Sequence, residues 1–176
     1  MNKLLVLMIV IVMTLSLAAC GGDVGSAESA PEASAPAQQQ ESVADEQAKA
    51  DEDYAKLEGF LNRIIANYQD QQALATLLEE IRSGQKEESA LLDAYKQLAE
   101  DANGMLQDVQ NTAWATNYYD DKAAVLTECA EALALYQQTA YEACAENDDA
   151  KLETMSVLLD DYDLKLSAFL DVMGVE

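Results

Sequence analysis

From residue 51 onward apolar residues recur at helical spacing. Tyr54, Leu57, Leu61, Ile64 and Tyr68 alternate steps of three and four. The row runs on through Gln71, Ala75 and Leu78 and is widened by Leu74, Leu77 and Ile81. Such spacing puts the apolar groups on one face of an α-helix. Arg82 falls in the last turn and Ser83-Gly84 follows, glycine being favoured just past a helix end. A second stripe is Leu91/Leu92, Tyr95, Leu98, Ala102, Met105, Val109 and Ala113. A third is Val125/Leu126, Cys129, Leu133, Tyr136, Ala140 and Cys144, and a fourth is Leu152, Met155, Leu159, Tyr162, Leu166, Phe169 and Met173. The patterns predict helices over 53–82, 86–115, 118–145 and 148–173, with Asn147 as the N-cap of the last.

The Asn103-Gly104 pair interrupts the second stripe in composition but not in register. A continuous helix is expected there, with a break as the competing reading. Each helix is roughly 40–45 Å long at 1.5 Å per residue. Short connections make neighbouring helices antiparallel. The expected fold class is therefore all-α, an antiparallel up-down-up-down four-helix bundle over 51–176. The absence of proline after Pro36 agrees, because β-proteins recruit proline at turns and edges.

The beginning of the chain has a different pattern. Met1-Asn2-Lys3 precedes an apolar run from Leu4 to Leu17, softened only by Thr14 and Ser16, and Leu17-Ala18-Ala19-Cys20 follows. A run this short, ending in small residues, reads as a cleaved signal peptide rather than a membrane span. The four residues 17–20 resemble the lipobox of bacterial lipoproteins. The resemblance covers residues 1–20 only. It implies a diacylglyceryl group on the Cys20 thiol and cleavage between Ala19 and Cys20 by the lipoprotein-processing enzymes. The implied partner is then the membrane, reached through Cys20, and the implied location is outside the cytoplasm. Gly21 is not an aspartate, so nothing argues against the outer membrane if the cell has two. Residues 21–40 are Gly, Ala, Ser, Glu, Pro and Gln with a single large apolar residue, Val24. Such composition buries no core and is expected to be disordered. The expected organisation is a signal peptide over 1–19, a lipidated tether over 20–50 and the helical domain over 51–176.

Charge and composition narrow the function. The chain has 33 acidic and 10 basic side chains and a net charge of -23. A surface this acidic repels nucleic acid. Histidine is absent, which removes histidine-activated nucleophiles and histidine metal ligands. Four acidic clusters, Asp51-Glu52-Asp53, Glu87-Glu88, Asp120-Asp121 and Asp148-Asp149, lie at predicted helix starts. There they complement the helix dipole rather than mark a metal site. The predicted inward rows are apolar apart from Gln71 and Thr139, so no catalytic residue, metal ligand or cofactor is assigned. Cys129 and Cys144 lie fifteen residues apart on one helix, about 22 Å, too far for a disulfide.

Trp114, Tyr118 and Tyr119 cluster between the second and third helices, beside Asp120 and Asp121. Aromatic faces next to carboxylates attract cations, so these five residues are the candidate ligand-binding group. Their alternative role is an end-plug over the hydrophobic core. The expected function is a non-catalytic binding or scaffolding role in the envelope, toward an envelope or surface protein. The alternative is capture of a small cationic ligand or peptide.

Overall fold

The computed structural model describes the backbone of residues 37–175 and the side chains of residues 43–175. The expected signal peptide, the lipobox-like residues with Ala19 and Cys20, and the expected tether up to residue 36 lie outside the described residues. The described chain is helical, with no strand: α1 (Ala37–Arg82), α2 (Ser89–Asn111), α3 (Asp120–Glu146) and α4 (Asp149–Met173). The four helices pack against each other as a helical bundle. α3 packs most extensively, against both α2 and α4, while α1 lies chiefly on α2 and also touches α3.

Cross-helix contacts fix the relative directions. Rising along α1, Lys56 donates to the Ala113 carbonyl (3.0 Å), Arg63 pairs with Asp108 (2.7 Å) and Asn67 Nδ2 donates to the Leu98 carbonyl (3.4 Å). The partners descend along α2, so the two helices are antiparallel. Between α3 and α4, Lys122 donates to the Val172 carbonyl, the Tyr136 and Tyr162 rings stack at 6.3 Å, and Glu142 pairs with Lys151 (2.7 Å). That order is also antiparallel.

The place of α3 follows from its alanines. Beside its inward stripe of Leu126, Cys129, Leu133, Tyr136 and Ala140, it buries Ala130, Ala132, Ala134 and Ala143 on the flanks. Small side chains let neighbours approach from both sides, so one helix serves two interfaces.

α1 departs from its predicted face and from its predicted start. Its buried row is Ala50, Asp53, Leu57, Phe60, Ile64, Asn67, Gln71, Leu74 and Leu78, an unbroken alternation of three and four. The sequence pattern had placed Tyr54, Leu61, Tyr68 and Ala75 in that seam. Leu61 does sit at its edge, but Tyr54, Tyr68 and Ala75 are only half-buried. Leu57, Ile64, Gln71 and Leu78 keep their predicted places, and between them the seam takes Asp53, Phe60, Asn67 and Leu74; an apolar template passes over the polar Asp53 and Asn67. The helix also begins at Ala37, not at residue 53: residues 41–50, whose composition favours helix without an apolar face, extend it, and so do the last four residues of the stretch 21–40 expected to be disordered. Residues 37–50 are rich in Ala, Gln, Glu and Lys, which are strong helix formers. It is also braced by the pairs Lys49–Asp45 (2.7 Å) and Gln47–Asp51 (2.8 Å). Extending an existing helix avoids the nucleation cost that would melt such a segment alone.

The helix ends correct further details. Asn147 does not cap α4. It adopts the left-handed conformation (φ 53°) that closes α3. Asp148 is the N-cap, its Oδ1 accepting from the N–H groups of Ala150 (2.9 Å) and Lys151 (3.3 Å). Gly84, at φ 76°, stops α1, and the Gln85 N–H returns to the Glu80 carbonyl (2.8 Å). α2 begins at Ser89 and ends at Asn111 rather than running 86–115, since Thr112 is already extended.

α2 passes through Asn103-Gly104 unbroken, which settles the competing reading. Gly104 has no positive φ, and a Cβ built on it meets nothing within 4 Å. Gly104→Ala should therefore raise stability by about 1 kcal/mol, the propensity difference, in a denaturant melt. Unchanged or lower stability would show that glycine is needed there for packing.

Candidate functional site

The aromatic cluster predicted between the second and third helices sits where α1 enters the bundle. Its geometry is set by a residue that the sequence had assigned elsewhere. Asp53 lies on the buried seam of α1 and its side chain is fully buried. Its Oδ1 accepts from the Ala115 N–H (2.9 Å), and its Oδ2 accepts from the Thr116 N–H (2.8 Å) and the Thr116 hydroxyl (2.9 Å). Lys56 adds an ion pair at 3.2 Å and also pairs with Glu52 at 2.9 Å. Desolvation pushes the Asp53 carboxyl up. The Ala115 and Thr116 donors, with Lys56, outweigh it and hold the group down at about 2, against an ordinary 3.8. One carboxylate thus ties the connection between α2 and α3 to α1.

The cluster Asp51-Glu52-Asp53 is therefore not at a helix start. It lies inside α1, and its third member is a structural latch. The signal that would have revealed it is the three-four alternation through Ala50, Asp53 and Leu57, which an apolar template cannot register.

The latch brings the rings together. Tyr54 meets Tyr119 at 5.7 Å between centroids, and Tyr119 meets Tyr118 edge-on at 5.0 Å. Tyr118 is 76% exposed, while Tyr119 and Trp114 are half-buried and pack against the core. Asp120 and Asp121 are exposed in the first turn of α3, where they face the positive end of its dipole. The Tyr119 hydroxyl is pushed up by desolvation and then by the negative neighbourhood of Tyr118, Asp51, Tyr54 and Asp53. The arrangement is a ladder of three rings with one open face, in a field set by carboxylates of two helices. Tyr54 was missing from the predicted group because it was counted as core.

The interior carries a second polar feature. Gln137 Nε2 donates to Asn67 Oδ1 (3.1 Å) and Gln71 Oε1 (3.3 Å), and Gln71 Nε2 donates to the Tyr136 hydroxyl (3.0 Å). Gln71 is buried as expected. Thr139 is only half-buried, and the inward polar side chain of α3 is Gln137. These amides satisfy one another across α1 and α3 and so fix the register between them. A small cleft of about 170 Å3 between α1 and α2 reaches Asn67, rimmed by Arg63, Asp70 and Asp101.

Cys129 and Cys144 are both free thiols, Cys129 buried and Cys144 half-buried. Desolvation pushes the Cys129 thiol up to about 12, slightly eased by Lys165, and the Cys144 thiol up to about 11. Only the thiolate reacts. Both should label slowly with a maleimide in the native protein and rapidly after denaturation. Fast native labelling of Cys129 would require a local opening of α3.

Among the described residues no group of three or more Cys, Asp or Glu side chains is placed to hold a metal ion. No helix among them is long and apolar enough to cross a membrane. Comparison of the chain with protein-family models, with curated proteins and with solved structures gives no match.

Proposed function

We propose that the chain is a lipid-anchored, extracytoplasmic lipoprotein with a non-catalytic binding or scaffolding role in the cell envelope. The observation that carries this reading is the ordered succession of Lys3, the apolar run 4–17 and Leu17-Ala18-Ala19-Cys20. Cys20 carries the lipid, Ala19-Cys20 is the cleavage point, and the membrane and an envelope or surface protein are the partners. The domain, 51–176, is an up-down-up-down four-helix bundle behind the tether 20–50, whose last part is helical from Ala37. α1 supports a spacer role. Residues 43–49 are all exposed, and the bundle begins near Ala50 and Asp53. The helix from residue 37 to 49 therefore extends roughly 20 Å ahead of the bundle. A helix without an apolar face, braced by the Lys49–Asp45 ion pair and the Gln47–Asp51 hydrogen bond, suits a solvent-crossing spacer. The bundle side, 51–176, has 27 acidic and 8 basic side chains, so it stands off an anionic surface.

Cys20→Ser tests the anchor. The wild-type chain should fractionate with membranes and show, by mass spectrometry, a diacylated N-terminus at residue 20. The variant should lose both lipid and cleavage and leave the lipid-modified pool. Wild-type protein that is soluble with residue 1 intact would overturn the proposal.

A second reading, capture of a small cationic ligand, is favoured by the ladder Tyr54–Tyr119–Tyr118 in the field of Asp51 and Asp53. Asp120 and Asp121 follow Tyr119 directly at the start of α3, and Trp114 lies earlier in the same connection, packed against the core. A cation there gains on the order of 1 kcal/mol per ring, so binding should be modest and salt-sensitive. Trp114 is the only tryptophan and reports the site directly. Emission unchanged by choline or spermine, together with shielding from aqueous quenchers, would leave the rings as an end-plug.

A further inference from the structure

On the outer side of α3 and α4 three large apolar side chains are left to water: Leu135, 54% exposed, Val157, 66% exposed, and Leu164, 70% exposed. An exposed leucine by itself needs no explanation. These three share one face. Val157 and Leu164 are seven residues apart and so lie on one stripe of α4. Leu135 is two residues from the fully buried Leu133, about 200° around α3, and heads its outward ridge together with Glu128 and Glu131.

Lys165 joins the ridge to the stripe. It pairs at 2.9 Å with Asp161, which lies between Val157 and Leu164 on α4. Its ammonium is pushed up by Asp161 first, and Glu128 and Glu131 of the α3 ridge add to the effect against desolvation. The antiparallel register agrees. Tyr136 stacks on Tyr162 and Glu142 pairs with Lys151, so Leu135 falls level with the stretch between Val157 and Leu164. A contiguous apolar face of this kind marks an interaction site more often than scattered single residues do.

Charge decides what can cover it. The charged side chains one helical turn from the three are Glu131, Glu153, Asp160 and Asp161, all carboxylates. Asp161 is taken by Lys165, whereas Glu131, Glu153 and Asp160 are exposed and make no ion pair among the described residues. A second copy would bring another domain with 27 acidic and 8 basic side chains against these carboxylates. The tether stretch 21–36 carries Asp23, Glu28 and Glu32 and no basic residue, so it is repelled as well. An anionic polymer or membrane is excluded for the same reason. A neutral apolar occupant would cover the carboxylates without pairing them. Apolar groups flanked by lysine or arginine satisfy both features of the face.

We infer that the outer face of α3 and α4 at Leu135, Val157 and Leu164 docks a basic segment of a partner protein. Apolar side chains of that segment cover the three, and its cations pair with Glu131, Glu153 and Asp160. This deepens the binding reading above by naming the surface and the partner's chemistry, and it rests on that reading for the partner's place in the envelope.

The test uses the full chain in phosphatidylcholine nanodiscs, with empty discs as the blank, and two fluorescent peptides followed by anisotropy. One is a lysine–leucine peptide with its leucines at helical spacing. The other is a lysine–serine peptide of the same length and charge. The first should bind and weaken with salt, and the second should bind at least tenfold more weakly. Leu135→Gln, Val157→Gln and Leu164→Gln combined should weaken the first at least tenfold without lowering the melting temperature, because none of the three is buried. Glu131→Gln with Asp160→Asn should weaken it too and flatten its salt dependence. Equal binding of the two peptides would overturn the inference, as would undiminished binding by the triple variant. Pairs of the chain held through this face and lost in the triple variant would assign it to a second copy and overturn the inference equally. None of these results bears on lipidation, which membrane fractionation tests separately.

Discussion

Asp53→Ala is expected to lower the unfolding free energy by roughly 2–4 kcal/mol, among the largest effects of any polar substitution in this chain. The change leaves the Ala115 and Thr116 N–H groups and the Thr116 hydroxyl without their charged acceptor, and hydrogen bonds to a charged group contribute roughly 1.5–3 kcal/mol each, less what water returns to these partly exposed donors. The connection between α2 and α3 should also loosen, which hydrogen exchange at 115 and 116 would register. Lys56→Met should cost under about 1 kcal/mol, because that ion pair is partly solvated. Equal losses for the two variants would mean that the ion pair, not the backbone grip, holds the loop.

The same residue sets a pH dependence. Its carboxyl lies at about 2 in the folded chain against an ordinary 3.8. A depressed folded value stabilises the protein above the unfolded value, and the contribution fades as pH falls from about 4 toward 2. The full contribution is up to about 2 kcal/mol. Glu142, lowered by Lys151 and then by Gln138, acts in the same direction. Asp163, raised by desolvation and then by Asp160, acts in the opposite one. Comparison of wild type with Asp53→Asn isolates the latch: the variant should show a flatter loss of stability through this window. Parallel curves would remove Asp53 as the acid-sensitive group.

Leu133→Ala is expected to cost about 2–5 kcal/mol in a two-state denaturant melt. Leu133 is fully buried on α3, the helix packed on both sides, so the surroundings have little freedom to collapse into the cavity. Leu135, two residues away, is 54% exposed, and Leu135→Ala should stay within about 0.5 kcal/mol. Similar values for the two positions would contradict the orientation of α3.

The two leucines show how unevenly the chain could be read in advance. The stripes of α3 and α4 were legible because their inward positions are apolar at fixed steps, and burial follows them from Leu126 to Ala140 and from Leu152 to Met173. The face of α1 was legible only in part, because Asp53 and Asn67 are buried through hydrogen bonds to residues 31 to 70 positions away. No local window contains those partners. Asn147 misled for a related reason: the same side chain suits a helix start and a left-handed helix end, and which one it serves depends on how α3 and α4 turn.

By itself the sequence determined the number and type of the elements in the domain and the acidity of the surface. These depend on periodicity, propensity and composition, which are local or additive. The tertiary structure decided that α1 buries Asp53 and Asn67 in its seam. It also decided that Asp53 grips the loop at Thr116 and that Gln137 meets Asn67 and Gln71 across α1 and α3. Each of these depends on groups far apart in the chain, because a buried polar side chain is stable only where distant donors and acceptors converge on it.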